Sequence, residues 1–134
     1  MRIFSHILVD TSVWIHYFKD NADSVLDTLI TENLVITNEL ILSELIPFAE
    51  HARQSEMIEG LRAIELLPLD IYWEGIRRLQ LLNLQHGINN VGIPDLIIAQ
   101  QAVDQKIQLW SLDKHFALMA GVIKLSLFQS SAIK

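Results

Sequence analysis

The feature that most constrains the fold is the stretch from His6 to Ile15, HILVDTSVWI, in which an apolar run stops at Asp10. A Thr-Ser pair follows before the apolar residues resume. The run predicts a buried strand that ends at Asp10, with Thr11 or Ser12 capping the helix that begins next. In open parallel sheets, ligands bind beyond the carboxyl ends of the strands. We therefore expect a functional site around Asp10.

The rest of the chain alternates short apolar segments with helical patterns. Further strands are predicted at LVIT (Leu34 to Thr37), at ELLPL ending near Leu69, at IQLWSL and at VIKLSLF. This alternation indicates an α/β protein whose parallel sheet of four to five short strands is covered by helices on both faces. No linker, repeat or low-complexity segment interrupts it, so residues 1–134 are predicted to form a single domain.

Local signals predict where several helices begin and end. Asn38 is a good N-cap for a helix that runs through ELILSELIPFAEHA, and Pro47 is expected to kink that helix or end its first half. A long amphipathic helix is predicted over Asp70 to His86, with Gly87 as its C-terminal cap residue. Pro94 suits the first position of the following helix.

Composition excludes several classes of protein. No apolar run reaches the roughly 18 residues of a membrane span, and the first residues lack the character of a signal peptide, so we expect a cytoplasmic protein without a membrane partner. The absence of cysteine excludes disulfides and thiolate metal sites. A net charge of −6 argues against a broad basic surface for nucleic acid. The high apolar content favours a homodimer or a tightly held protein partner.

Three aspartates share one predicted setting, the junction between a strand or loop and a helix. They are Asp10 after ILV, Asp95 after Pro94, and Asp113 after QLWSL. Each one alone is explained by helix capping or by the helix dipole. In a doubly wound sheet, however, all three junctions open on the same edge, so the three carboxylates are expected to lie close together.

Glu44 lies inside a helix, where capping does not explain it. It shares a helical face with Leu40, Ile41, Pro47 and Phe48, so it is expected to be buried, whereas Glu39 is expected to be solvated. Two carboxylates ~4 Å apart repel by about 4 kcal/mol at an effective dielectric near 20, unless a cation lies between them. Clustered hard oxygen ligands suit Mg²⁺ or Mn²⁺, which would activate water and hold the oxygens of a phosphodiester.

The motifs at these acids resemble those of a known family. DTS at Asp10, ELILSELI with Glu44, GIPDLIIAQQA with Asp95 and LWSLDKHF with Asp113 are similar to the four acidic motifs of PIN-domain ribonucleases, especially the VapC-type toxins of bacterial toxin–antitoxin pairs. The resemblance spans nearly the whole chain, with the motifs in order and at ordinary spacing.

The resemblance implies a three-layer α/β/α sandwich, Mg²⁺- or Mn²⁺-dependent endonucleolytic cleavage of RNA, homodimerisation and inhibition by a cognate antitoxin. It assigns catalytic and metal-binding roles to Asp10, Glu44, Asp95 and Asp113. Ser12 and Ser111 match supporting polar positions of the family, where they would act through a hydroxyl or a water molecule. His115 follows Asp113 by two positions, but in the resembling motif that position mainly starts a helix.

Two other functions are consistent with parts of the sequence. A PIN-like domain that no longer cuts, and instead binds another protein as a dimer, would explain the acidic charge and the apolar content. The complete set of four acids argues against it, because a binding module has no need of an uncompensated acidic cleft. An aspartyl phosphatase usually needs a second acid two residues after the first, and Ser12 stands there instead.

Overall fold

The computed structural model describes residues 6–20 and 23–130. These residues form four strands and seven helices. The strands are β1 (Ile7–Val9), β2 (Val35–Thr37), β3 (Glu65–Leu66) and β4 (Gln108–Trp110). The helices are α1 (Thr11–Asp20), α2 (Ser24–Thr31), α3 (Glu39–His51), α4 (Ser55–Arg62), α5 (Trp73–Gln85), α6 (Ile93–Gln105) and α7 (Lys114–Ala120).

The four strands form one parallel sheet in the order β3-β2-β1-β4. In β1, Leu8 is in register with Ile36 of β2 on one side and with Leu109 of β4 on the other. Strand β1 is therefore an inner strand, and the carboxyl ends of all four strands lie at one edge of the sheet. The predicted α/β class with a central parallel sheet is confirmed.

The predicted fifth strand, VIKLSLF, is reduced to one parallel bridge between Leu109 and Leu127. Leu109 donates its N–H to Ser126 and accepts from the N–H of Phe128. Alternate residues of a parallel strand direct their peptide groups to opposite sides. Only the middle residue of the three-residue strand β4 therefore faces this outer edge, and the pairing extends no further.

The capping predictions at two helices are confirmed. The side chain of Asn38 accepts a hydrogen bond from the N–H of Ile41 at the start of α3. Gly87 follows the end of α5 with a φ of +74°, a conformation that glycine adopts without the steric cost of a Cβ.

The predicted end of the helix's first half at Pro47 is wrong, because α3 continues through this residue to His51. Proline removes the hydrogen bond to the carbonyl four residues earlier, which here belongs to Ser43. Both Ser43 and Pro47 are exposed, so water can replace the lost partner. Tertiary packing of the buried side of α3 thus outweighs the local preference of proline.

The prediction that Thr11 or Ser12 caps α1 is wrong. Helix α1 begins at Thr11, directly after Asp10. The backbone carbonyl of Asp10 accepts hydrogen bonds from the N–H groups of Val13 and Trp14. Thr11 and Ser12 therefore belong to the first helical turn. Their hydroxyls are free to bond to side chains across the sheet edge.

The core lies on both sides of the sheet and includes a small polar network. Fully buried side chains include Leu8 of β1, Leu96 of α6 and Phe116 of α7. Within this core, the Asn38 amide donates to Gln101 Oε1 at 2.7 Å. Gln101 Nε2 in turn donates to the Pro68 carbonyl at 3.1 Å, so the start of α3, the middle of α6 and the segment after β3 are joined.

None of the helices within residues 6–20 and 23–130 has both the length and the apolar character required to cross a bilayer.

Candidate active site

The carboxyl edge of the sheet collects the four predicted acids. Asp10 directly follows β1, and Asp113 is the N-cap of α7 in the segment after β4, where its side chain accepts from the N–H of His115. Asp95 is in the first turn of α6, and Glu44 is in the middle of α3. Four separate elements therefore contribute one carboxylate each.

Asp10 is the most deeply buried of these acids, with 6% of its surface exposed. Its Oδ2 accepts hydrogen bonds from Ser111 Oγ at 2.8 Å and from Ser12 Oγ at 3.0 Å. Each hydroxyl also accepts a backbone N–H, that of Leu112 for Ser12 and that of Asp113 for Ser111. The two serines thus fix one carboxylate oxygen and tie the end of β1 to the segment after β4.

Asp95 carries the clearest electrostatic sign of the cluster. The pKa of Asp95 is raised from 3.8 to about 6, chiefly by burial and in smaller part by the nearby negative charges of Asp10, Asp113 and Glu44. His115 acts in the opposite direction and lowers the pKa. An acid is affected in this way only when the other carboxylates are close enough to repel its charged form. The four acids predicted from sequence therefore lie near enough to interact electrostatically.

The predicted burial of Glu44 is wrong. Glu44 is exposed, as is Glu39, and Glu44 Oε1 accepts a hydrogen bond from Thr11 Oγ1 at 2.8 Å. The buried stripe of α3 consists of Ile41, Leu45 and Ala49. Glu44 lies beside this stripe, one residue before Leu45, and so reaches the edge of the sheet without being enclosed by the core.

Asp113 has a close neighbour that the four-acid prediction omitted. His115 Nδ1 lies 3.3 Å from Asp113 Oδ1, and the two side chains are 22% and 35% exposed. One ligand atom each from Asp95, Asp113 and His115 lie within 4.8 Å of one another. Spacing from Asp113 was the only sequence signal for His115, and no sequence signal indicated the Thr11 contact with Glu44.

The donor chemistry of this edge fits a divalent cation. Ligand atoms of Asp95, Asp113 and His115 lie within 4.8 Å of one another. The charges of Asp10, Asp113 and Glu44 add to the effect of burial on the pKa of Asp95, and a cation would neutralise that repulsion. The hydroxyls of Ser12 and Ser111 are already engaged with Asp10, which leaves the carboxylates and His115 as the available ligands.

The comparison with known protein families agrees with this geometry. The family profile described as "PIN domain" matches residues 7–122, which is most of the chain. The chain belongs to the PIN-domain family. A comparison of this PIN domain with curated proteins gave no significant match.

Solved structures share the fold of this PIN domain at low sequence identity. A DNA-bound VapBC structure from Salmonella typhimurium has a TM-score of 0.76 at 18% identity, over 95% of this chain and 99% of the other. VapBC2 from Rickettsia felis, bound to a DNA fragment from its promoter, has a TM-score of 0.73 at 18% identity, over 91% of this chain and 96% of the other. VapC20 from Mycobacterium tuberculosis, a toxin that cleaves the sarcin-ricin loop, gives 0.57 at 16% identity over 89% and 98%.

Proposed function

We propose that this PIN domain is a Mg²⁺- or Mn²⁺-dependent endoribonuclease and the toxin of a toxin–antitoxin pair. The observation that carries the proposal is the cluster at the carboxyl edge, where one ligand atom each of Asp95, Asp113 and His115 lie within 4.8 Å of one another. The charges of Asp10, Asp113 and Glu44 add to the effect of burial in raising the pKa of Asp95. Membership of the PIN family supports the nuclease class. The alternative, a PIN-like dimeric binding module without catalysis, does not account for this concentration of negative charge.

In the proposed mechanism, Asp10, Glu44, Asp95 and Asp113 hold the cation. A bound divalent cation supplies an activated water and stabilises negative charge on the phosphodiester. Ser12 and Ser111 orient Asp10 by donating to its Oδ2, and Thr11 orients Glu44 by donating to its Oε1. These bonds hold the carboxylates in position before the metal and the RNA bind, which lowers the cost of organising the site.

The partners are proposed from the similar structures. Two of them are VapBC structures, and a third is a toxin that cleaves the sarcin-ricin loop. We infer that this chain likewise cleaves RNA in the cytoplasm, is inhibited by a cognate antitoxin protein and forms a homodimer. Exposed apolar side chains on α5, among them Trp73, Leu81 and Leu84, are consistent with a protein–protein interface.

The test combines metal binding with RNA cleavage. Calorimetric titration with Mn²⁺ and with Mg²⁺ is expected to show binding to the wild type and none to Asp95→Asn. Incubation with total cellular RNA should give discrete fragments with the wild type and none with Asp95→Asn. Asp104→Asn, an exposed acid at the far end of the same helix, is the matched control and should keep both properties.

Two results would contradict the nuclease. Cleavage by Asp95→Asn at the wild-type rate would remove Asp95 from the catalytic set. Absence of both metal binding and cleavage in the wild type, together with metal-independent binding of a partner protein, would favour the non-catalytic binding module.

A further inference from the structure

His115 lies in the metal site but is not one of its acids. Its Nδ1 is 3.3 Å from Asp113 Oδ1, and its ligand atom lies within 4.8 Å of those of Asp95 and Asp113. Adjacent ligands in an octahedral site with bonds of 2.0–2.1 Å are about 3 Å apart. The spacing of His115 and Asp113 is thus close to that of two neighbouring ligands of one cation.

We infer that His115 is a nitrogen ligand of the cation and that it shifts the site's preference from Mg²⁺ towards first-row transition ions such as Mn²⁺ and Co²⁺. This inference rests on the proposed metal-dependent function and concerns which ion the site selects. Mg²⁺ is a hard ion that prefers oxygen ligands and keeps its water. Imidazole nitrogen binds transition ions more strongly, with affinity rising from Mn²⁺ to Co²⁺.

The local fold presents His115 in a fixed position. Asp113 Oδ1 accepts the backbone N–H of His115 at 2.9 Å as the N-cap of α7, so both residues are held by the same helix start. The oxygen that accepts this bond, Oδ1, is also the one that lies 3.3 Å from His115 Nδ1. The His115 side chain is only 22% exposed, which restricts its freedom to leave the cluster. A ligand held in this way loses little conformational entropy when a cation binds.

A competing role for His115 is to pair with Asp113 without touching the metal. In that case its removal would change the affinities for all divalent ions by a similar factor, because only the charge around an all-oxygen site would change. A nitrogen ligand instead contributes least to Mg²⁺ affinity, more to Mn²⁺ affinity and most to Co²⁺ affinity. The ratio of affinities therefore distinguishes the two roles.

The experiment compares the wild type, His115→Ala and His115→Gln with the control His16→Ala. His16 also pairs with an aspartate, Asp20, at 3.2 Å, but this pair is exposed along α1 and separate from the acid cluster. Dissociation constants for Mg²⁺, Mn²⁺ and Co²⁺ are measured by calorimetry. Pulsed EPR of the Mn²⁺-loaded wild type reports directly on a bound nitrogen, so one readout needs no variant to fold.

Both His115 variants are expected to lose Mn²⁺ affinity by about tenfold or more, the scale seen when groups that support a metal site are removed, with a larger loss for Co²⁺ and a much smaller one for Mg²⁺. The EPR spectrum of the wild type and of His16→Ala should show ¹⁴N coupling. Equal losses for the three ions, or a Mn²⁺ spectrum without nitrogen coupling, would overturn the role of His115 and leave the nuclease intact. A wild type that binds none of the three ions would overturn both.

Discussion

At the scale of single residues, the site depends on how Asp10 tolerates burial. A buried carboxylate needs hydrogen-bond donors, and Asp10 Oδ2 receives two, from Ser12 and from Ser111. The two serine oxygens are themselves 3.3 Å apart. Because both serines donate to the same oxygen of Asp10 and lie next to each other, their contributions to stability should be coupled.

Replacing these serines should therefore give non-additive losses of stability. Ser12→Ala and Ser111→Ala are each expected to lower the free energy of unfolding by about 1–2 kcal/mol, because a hydrogen bond to a charged group is lost. The loss of unfolding free energy in the double variant should differ from the sum of the two single losses by at least about 0.5 kcal/mol. Chemical denaturation of the metal-free proteins measures all four corners of the cycle, with the exposed Ser43→Ala as control. Strict additivity would contradict the shared role.

The raised pKa of Asp95 predicts a dependence of stability on pH. Between its ordinary value of 3.8 and its folded value of about 6, the folded protein binds the proton more tightly than the unfolded chain does. The free energy of unfolding of the metal-free protein therefore falls as pH rises through this window. Asp95→Asn removes this dependence. The free energy of unfolding of the variant, relative to that of the wild type, should therefore rise by about 1 kcal/mol as the pH goes from 4.5 to 7.5, after allowance for solvent screening.

Denaturant unfolding in the presence of a chelator at the two pH values tests this prediction. Asp104→Asn, at the exposed end of the same helix, is the matched control for loss of one negative charge. An equal pH-dependent gain in both variants would assign the effect to net charge and not to the acid cluster. Added Mn²⁺ should reverse the order of stability, because the cation stabilises only the protein that binds it.

At the scale of elements, the relative position of α3 and α6 sets the distance between Glu44 and Asp95. A buried pair, Asn38 and Gln101, joins these helices through a 2.7 Å hydrogen bond. Both residues are more than nine-tenths buried, and Gln101 also donates to the carbonyl of Pro68. Loss of the Gln101 amide would leave buried polar groups without this partner.

Gln101→Met, which nearly preserves volume, is expected to lower the free energy of unfolding by about 2–3 kcal/mol, the cost of unsatisfied buried donors and acceptors. Gln100→Met is the matched control, because Gln100 is adjacent on α6 and, among residues 6–20 and 23–130, its side chain bonds only to the backbone of the exposed Tyr72, at 3.4 Å. Its effect should be within about 0.5 kcal/mol. Thermal or chemical unfolding compares the two. Similar losses in both variants would contradict the importance of the buried network.

The elements also show which structural features are legible in the sequence. Asn38 and Asp113 bond to their own helix starts, and such local contacts depend on a few consecutive residues. The continuation of α3 through Pro47 and the short contact at Leu127 depend on packing and on the length of β4, which are not local. Sequence patterns therefore predicted the presence of the helices and strands better than they predicted where a helix or a strand pairing ends.

The same distinction applies to the candidate site. The three aspartates were predicted to lie close together because strand ends converge at one edge, a rule of topology that needs no side-chain detail. Glu44 was identified because helix capping does not explain it and because its motif resembles that of the family. The exposure of Glu44 depends on a rotation of α3 by one residue, since Leu45 and not Glu44 faces the core. The approach of His115 to Asp113 and Asp95 depends on the start of α7 relative to α6, which sequence spacing alone does not define.

At the scale of the whole molecule, the proposed function requires an acidic protein to bind an acidic substrate. The net charge is −6, and Lys114 is the basic residue that directly follows a site acid. Arg78, on α5, is paired with Glu74 at 3.0 Å. Few phosphate contacts are therefore expected, and the cation must provide much of the attraction for RNA.

This charge distribution predicts a weak salt dependence of RNA cleavage. Each phosphate contact with single-stranded RNA contributes about −0.7 to the slope of log affinity against log salt. With two contacts or fewer, initial cleavage rates at subsaturating RNA and saturating Mn²⁺ should give a slope no steeper than about −1.5 between 50 and 200 mM KCl. Lys114→Ala should flatten the slope and Arg78→Ala should not. A slope steeper than about −3 would indicate a broad basic surface and would contradict the expected small number of phosphate contacts.

The position of β1 between β2 and β4 has a consequence for synthesis of the protein on the ribosome. Asp10 is translated early, but Ser111, which holds it, and Asp113 come about a hundred residues later. At 5–20 residues per second, this interval lasts on the order of 5 to 20 s. Throughout that time the nascent chain carries an incomplete set of carboxylates. The proposed nuclease activity therefore arises only after most of the domain has left the ribosome.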